Sequence, residues 1–181
     1  MGQRFPAMSD RHREFVERQR MFFVGTAAAD GRVNVSPKGL DALRVLGPNR
    51  VAWLNLTGSG NETAAHLLEQ DRMTLMFCAF EGAPLILRLY GRAAALHPRD
   101  ADWAELASLF PPLTGARQIV DLRVDLVVTS CGLGVPLYDY QGQRDGLEAW
   151  ARNKGEDGIR RYWDEKNRLS LDGKATRVLE S

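Results

Sequence analysis

The chain is poor in the residues that build disulfide frameworks and metal sites. It has 2 cysteines and 3 histidines among 181 residues. Cys78 and Cys131 lie far apart and no C-x-x-C pair exists, so a zinc knuckle or a dithiol redox motif has no support. His12, His66 and His97 are scattered, with no second ligand at helical spacing, and no metal is expected. Two thiols in a domain of this size suit a reducing compartment. An excess of one charge is also missing: 24 Lys and Arg face 23 Asp and Glu, for a net charge of +1. Proteins that neutralise a long phosphate backbone show a basic excess, so no nucleic-acid partner is expected. No run approaches the roughly 20 apolar residues of a membrane helix. The opening MGQRFPAMSDRHREF has no apolar stretch of the signal-peptide kind. The expectation is a cytoplasmic protein with no membrane partner. What remains is 44% hydrophobic and 26% charged residues, the balance of one globular domain with a sizeable core.

Punctuation along the chain divides it into residues 1–20, an arm and helix, 21–130, a β-rich body, and 131–181, a loop and helical tail. Residues 1–8 read as a loose arm. Ser9 is placed to cap a helix over residues 10–20, with Phe15 and Val16 inward. Residues 21–28 and 32–38 flank Asp30-Gly31, the pattern of a tight hairpin. Alternation puts Val33, Val35 and Pro37 on one face of the second strand and Asn34, Ser36 and Lys38 on the other. Further strands are predicted over 50–56, 72–80, 85–96 and 117–130. In the last of these, Ile119, Leu122, Val124, Leu126 and Val128 are the core candidates. Ser59-x-x-Glu62 has the form of a capping box before a helix. A second helix is expected over 99–109, ended by Pro111-Pro112. One or two amphipathic helices are expected over 147–167. About six or seven short, turn-linked strands suggest a closed or partly closed barrel, which removes exposed sheet edges.

The strongest local site is the turn at residues 57–63, Thr-Gly-Ser-Gly-Asn-Glu-Thr. It leaves a strand and enters a helix. The first N–H groups of a helix have no internal partner and sit at the positive end of its dipole. Glycines let a phosphate approach that backbone closely. Taken alone, a plain capped turn explains the segment as well. Lys38, ending a polar strand face, would bring a point charge to the same phosphate. Taken alone, it reads more readily as a solvated strand-end lysine, and Lys38→Ala is expected to leave the stability of the apoprotein nearly unchanged. The two segments together make the stronger case.

Gly31-Arg32-Val33-Asn34-Val35-Ser36-Pro37-Lys38-Gly39 resembles the second barrel strand of proteins related to pyridoxamine 5′-phosphate oxidase. WLNLTGSGNETAAHLLEQDRMTLMF, residues 53–77, resembles that family's strand–phosphate loop–helix–strand unit. LILRLYGRAAAL, residues 85–96, resembles its next strand. The resemblance implies a mainly β fold with flanking helices: a six- or seven-stranded antiparallel split β-barrel with a helical C-terminal tail. It implies a homodimer with flavin mononucleotide (FMN) at the interface. By position, Lys38 would contact the FMN phosphate. Thr57, Asn61 and Thr63 would line that phosphate. Ser36, and Leu56 through its backbone, would lie near the isoalloxazine ring or ribityl chain. The oxidase itself usually has an Arg-Lys pair where this chain has Glu62 and Thr63, and it ends in a Trp- and Arg-containing strand that is absent here. Pyridoxamine phosphate is therefore not the expected substrate.

The expected activity is an FMN-dependent oxidoreductase acting on an unnamed small molecule. A deazaflavin-dependent reductase on the same barrel and a non-catalytic flavin-binding or stress-protective module remain as alternatives. A haem site would call on a histidine such as His66. Cys131, in a glycine-rich turn, is expected to be a packed free thiol. His66 is expected to face solvent or cap a contact. Arg88 is expected to reach a cofactor or to lie at a surface or interface. Trp150, Tyr162 and Trp163 are expected to pack the tail onto the barrel or a second subunit.

Overall fold

The computed structural model describes residues 2–180. Twelve elements follow in chain order: β1 (Gln3–Phe5), α1 (Asp10–Arg18), β2 (Phe22–Thr26), β3 (Asn34–Lys38), β4 (Leu43–Gly47), β5 (Arg50–Leu56), α2 (Glu62–Glu69), β6 (Arg72–Cys78), β7 (Ile86–Leu96), α3 (Trp103–Ala107), β8 (Ala116–Ser130) and α4 (Gly146–Lys166). All strand pairs are antiparallel and form one eight-stranded sheet, in the order β3-β2-β6-β7-β8-β5-β4, with β1 added to β8. The sheet curls into a split barrel. Its two end strands, β3 and β4, are consecutive in sequence and flank the split.

The β5–α2–β6 connection fixes the site. β5 and β6 are not neighbours in the sheet, so α2 must carry the chain across one end of the barrel. The 57–63 turn lies at the start of that crossing. The main core fills the barrel with Val24, Val51, Trp53, Leu75, Phe77, Leu87, Leu89, Leu122 and Val127. A smaller cluster of Ala52, Leu54, Leu106, Phe110 and Ile119 seats α3 against the outer face.

Several expectations need correction. Residues 3–5 are not a loose arm but a strand, zipped to β8 from Gln3↔Thr129 to Phe5↔Val127. β4 escaped the sequence reading because Leu43–Gly47 lacks alternation: every residue of it is half-buried. Eight strands therefore replace six or seven. The β2–β3 register runs from Phe22↔Lys38 to Thr26↔Asn34, so residues 27–33 form a broad loop rather than a two-residue turn. The tail holds that loop open, through Asp172 on the Arg32 N–H and Lys174 on Asp30. Ser9 does cap α1 in a capping box with His12. The box predicted at Ser59 and Glu62 does not form: α2 starts after Asn61 and, among the described residues, has no side-chain cap. α3 is shorter than the predicted helix. α4 is two helices joined at Gly155, whose backbone is left-handed.

The core pattern of β8 also departs from simple alternation. Ile119 belongs to the outer cluster, while Leu122 and Val124 face the barrel. A bulge opposite Tyr90 and Gly91 then shifts the inward set, so Val127 is buried and Leu126 and Val128 are only half-buried. An inserted residue flips every later side chain to the other face. Gly91 is required there: a Cβ would lie 1.9 Å from the Arg123 carbonyl oxygen.

Candidate functional site

β3 presents Asn34, Ser36 and Lys38 toward the body and leaves Val35 and Pro37 exposed. The polar row is connected to α2. Ser36 Oγ donates to Asn34 Oδ1 at 3.1 Å, and Asn34 Nδ2 donates to Thr63 Oγ1 at 3.3 Å in the first turn of the helix. Lys38 reaches across the split to β5. Its Nζ donates to Asn55 Oδ1 at 3.2 Å and stands 5.1 Å from the centre of the Trp53 ring. Asn55 Nδ2 passes the chain on to Gln118 Oε1 at 2.9 Å. Lys38 is thus not an exposed strand-end lysine. Burial, and then the Arg117 charge, push its pKa down to about 8, while Glu62 favours its charged form.

The 57–63 turn packs against the C-terminal tail, with Thr57, Asn61 and Thr63 buried and Ser59 exposed. Thr57 donates both its N–H and its hydroxyl to the Gly115 carbonyl, at 2.9 and 2.8 Å. Trp163 Nε1 donates to the Thr57 hydroxyl at 2.8 Å. Asn61 is 2% exposed, yet among the described residues neither its Nδ2 nor its Oδ1 has a partner. Gln118 Nε2 and Arg117 Nε, on the adjoining strand, are buried without partners as well. Each such orphan costs about 1–3 kcal/mol, and native proteins rarely leave several together. Arg117 is 3% exposed and lowered to about 10 by burial. Among the described residues neither Lys38 nor Arg117 has a carboxylate within 4 Å. Half-buried Lys38, buried Arg117 and several idle donors cluster around one glycine-rich helix start and make it electropositive and donor-rich. That chemistry suits an anion with many acceptor lone pairs.

Ser36, Lys38, Leu56, Thr57, Asn61 and Thr63 therefore gather around one end of the barrel. The sequence reading missed Arg117 and Gln118, on a strand read only for its core pattern, and Trp53, on the strand that supplied Leu56. A charged residue beside an amide at the start of an otherwise apolar strand was the available signal. Leu56 and Thr57 also line a cavity of about 410 Å³, closed by Leu40, Leu113, Tyr140 and Leu147. Leu40 and Asp41 on its rim have φ of 59° and 54°, a left-handed backbone that costs non-glycine residues energy. A larger groove of about 900 Å³ runs past Phe15, Phe80, Tyr138 and Tyr140, and none of the six candidate residues lines it.

The remaining residues fall elsewhere. His66 does not face solvent: it is 1% exposed, with Nδ1 3.0 Å from Thr26 Oγ1. Cys131 is exposed rather than packed. Arg88 Nη1 donates to Ser130 Oγ at 3.3 Å. Trp150 packs edge-on to Tyr162 at 5.1 Å within the tail.

The family model described as pyridoxamine 5′-phosphate oxidase matches residues 8–131. The chain belongs to the pyridoxamine 5′-phosphate oxidase family. A pyridoxamine 5′-phosphate oxidase family protein of Aspergillus flavus, ustO, is 42% identical over 141 residues, 75% of this chain and 56% of that protein. The chain thus spans little more than half the length of that relative. HupZ of Group A Streptococcus shares the fold at a TM-score of 0.53 and 15% identity, over 74% of this chain and 99% of that one. A Lactobacillus delbrueckii structure that carries the oxidase's name gives a TM-score of 0.54 at 19% identity, over 68% and 94%. The match ends with β8, and the tail that packs on the 57–63 turn lies beyond the matched residues.

Proposed function

We propose that the chain binds FMN and works as an FMN-dependent oxidoreductase on a small organic molecule, as a cytoplasmic homodimer with the flavin at the subunit interface. One observation carries the reading: buried donors and uncompensated cations surround a glycine-rich helix start in a flavoprotein-like barrel. A phosphate dianion supplies the missing acceptors and the missing negative charge. Lys38 and Asn61 would hold it, with Thr63 beside them, and the Ser36–Asn34–Thr63 hydrogen bonds would fix the β3 edge. Thr57 shapes the turn, since its N–H and hydroxyl are already bound to Gly115. When bound, the isoalloxazine supplies the hydride or electron-pair chemistry, and the protein supplies position and water exclusion. The cavity beside Leu56 and Thr57 offers room for a ring or a substrate. Val33, just before β3, and Val35, on that end strand, are exposed at 72% and 66% and suit a second copy of the chain.

The absorbance spectrum of freshly purified protein tests the reading first. A yellow chromophore that mass determination identifies as FMN is expected. Colourless protein that takes up no added FMN overturns it. Lys38→Ala should weaken FMN by about tenfold or more, the worth of one charge-assisted contact, and riboflavin by no more than about twofold. Equal losses for the two ligands remove Lys38 from the phosphate.

A further inference from the structure

The resemblance to the oxidase itself implies an Arg-Lys pair where this chain has Glu62 and Thr63, so α2 brings no cation of its own to its N-terminus. The charge has not vanished from the neighbourhood. Arg117 sits at the start of β8, 3% exposed, with no carboxylate within 4 Å among the described residues and with Nε idle. Its Nη1 donates to Asn167 Oδ1 at 2.7 Å. Asn167, fully buried at the end of α4, turns its other side-chain atom to the phosphate turn: Nδ2 donates to the Gly58 carbonyl at 3.1 Å. Asn167 is itself fixed, because Thr176 Oγ1 donates to its carbonyl. Glu62 has been turned to another use. Its carboxylate folds back against Gly60 and accepts the Leu171 N–H of the tail at 3.3 Å.

We infer that Arg117 is the second phosphate-binding cation of this chain, supplied by β8 in place of the missing pair and aimed by Asn167 of the C-terminal tail. The inference rests on the FMN reading of the same site and says which residues complete it. A guanidinium buried without a carboxylate is a net cost to the empty protein, because desolvating it is repaid only by an opposite charge. Replacing it with an apolar side chain of similar length should then stabilise the empty protein. An arginine kept for structure behaves in the opposite way. The tail is accordingly part of the binding site: Asn167 bridges the cation and the turn, and Trp163 and Glu62 hold the two against each other.

The test uses the full chain, stripped of any flavin, with melting temperature and titration of FMN and riboflavin as readouts. Arg117→Met should raise the melting temperature of the stripped protein. It should weaken FMN by about tenfold to a hundredfold, the range for a desolvated charge-assisted contact, and leave riboflavin within about twofold. Arg117→Lys should keep most of the preference for FMN. Asn167→Ala should lose part of that preference although Arg117 is present. A fall in melting temperature with FMN and riboflavin lost together makes Arg117 structural and overturns the inference. So does an FMN preference unchanged in Arg117→Met and Asn167→Ala, while Lys38→Ala loses it; the FMN reading then survives alone. If the wild-type protein binds neither flavin, that reading falls, and inorganic phosphate becomes the probe. Heat protection by phosphate in the wild type and not in Arg117→Met keeps Arg117 as an anion ligand. No protection in the wild type removes it.

Discussion

Two lysines of this chain sit in opposite electrostatic settings. Lys174, in the tail, holds Asp30 at 2.6 Å and Glu69 at 2.8 Å at the protein surface. Those two carboxylates raise its pKa above the ordinary lysine value. Lys38, inside the split, has an amide and an aromatic face for company, and burial lowers it to about 8. Lys174 is complete within the chain, because its counter-charges belong to its own fold. Lys38 has a donor's geometry and no acceptor that carries charge. A cation satisfied by its own protein fastens one segment to another. A half-buried cation left without a carboxylate, beside a second cation and several idle amides, is the setting that supports the proposed anion site.

Converting one setting into the other is the sharpest way to break this comparison. Asn55→Asp places a carboxylate where Lys38 Nζ now meets an amide oxygen at 3.2 Å. Gln118 can turn its amide so that the idle Nε2 donates to the new group. The stripped protein should melt several degrees higher, and FMN should weaken by about a hundredfold or more, since like charges at a binding site cost several kcal/mol. Calorimetric melting and FMN titration check the two halves. Undiminished FMN affinity in this variant places the phosphate elsewhere.

The pH dependence separates the lysines without mutation. Lys38 has a folded pKa near 8, below its ordinary 10.5. Between those values the unfolded chain holds a proton that the folded chain has released, so stability of the stripped protein rises with pH in that window. Below about pH 8 the cost of keeping Lys38 charged is fully present. FMN affinity runs the other way. It should stay level on the acid side of Lys38 and fall by up to about tenfold per pH unit above 8, as the cation is lost. Lys174, shifted upward, contributes nothing to this window. Titrations of FMN from pH 6.5 to 9.5, with riboflavin as the control that should stay level, read the effect.

The contrast also explains what was legible in the sequence. The hairpins, the 57–63 turn and the polar row of β3 could be read because glycine placement and alternation are local signals. The family resemblance correctly pointed to the split barrel. β1 and β4 could not be read: one is a three-residue strand held by β8, and the other lacks alternation because both of its faces are half-covered. The inward set of β8 was misread past Val124 because a bulge leaves no trace in hydrophobicity. Lys38 looked like an exposed charge because nothing local shows that the barrel folds over it. Arg117 and Asn167 are 50 positions apart and meet only through the tail, so no spacing rule reaches them. Glu62 looked like a cap and an objection to phosphate binding, and the structure gives it a tail contact instead.

The smallest expected effect tests the satisfied lysine. Lys174→Ala removes two surface ion pairs, from the β2–β3 loop and from α2. Exposed pairs contribute little because water and salt screen them and because ordering long side chains costs entropy. The same stretch of tail keeps other anchors: Asp172 with Arg32, Leu171 with Glu62 and Thr176 with Asn167. Melting temperature should change by about 2 °C or less, and FMN affinity by no more than about twofold. Whatever difference exists at low salt should vanish near 1 M, where the screening length is about 3 Å. A tenfold loss of FMN that salt reproduces in the wild type would tell a different story. The tail would then depend on its surface pairs to hold Asn167 against Arg117, and the satisfied lysine would belong to the binding site after all.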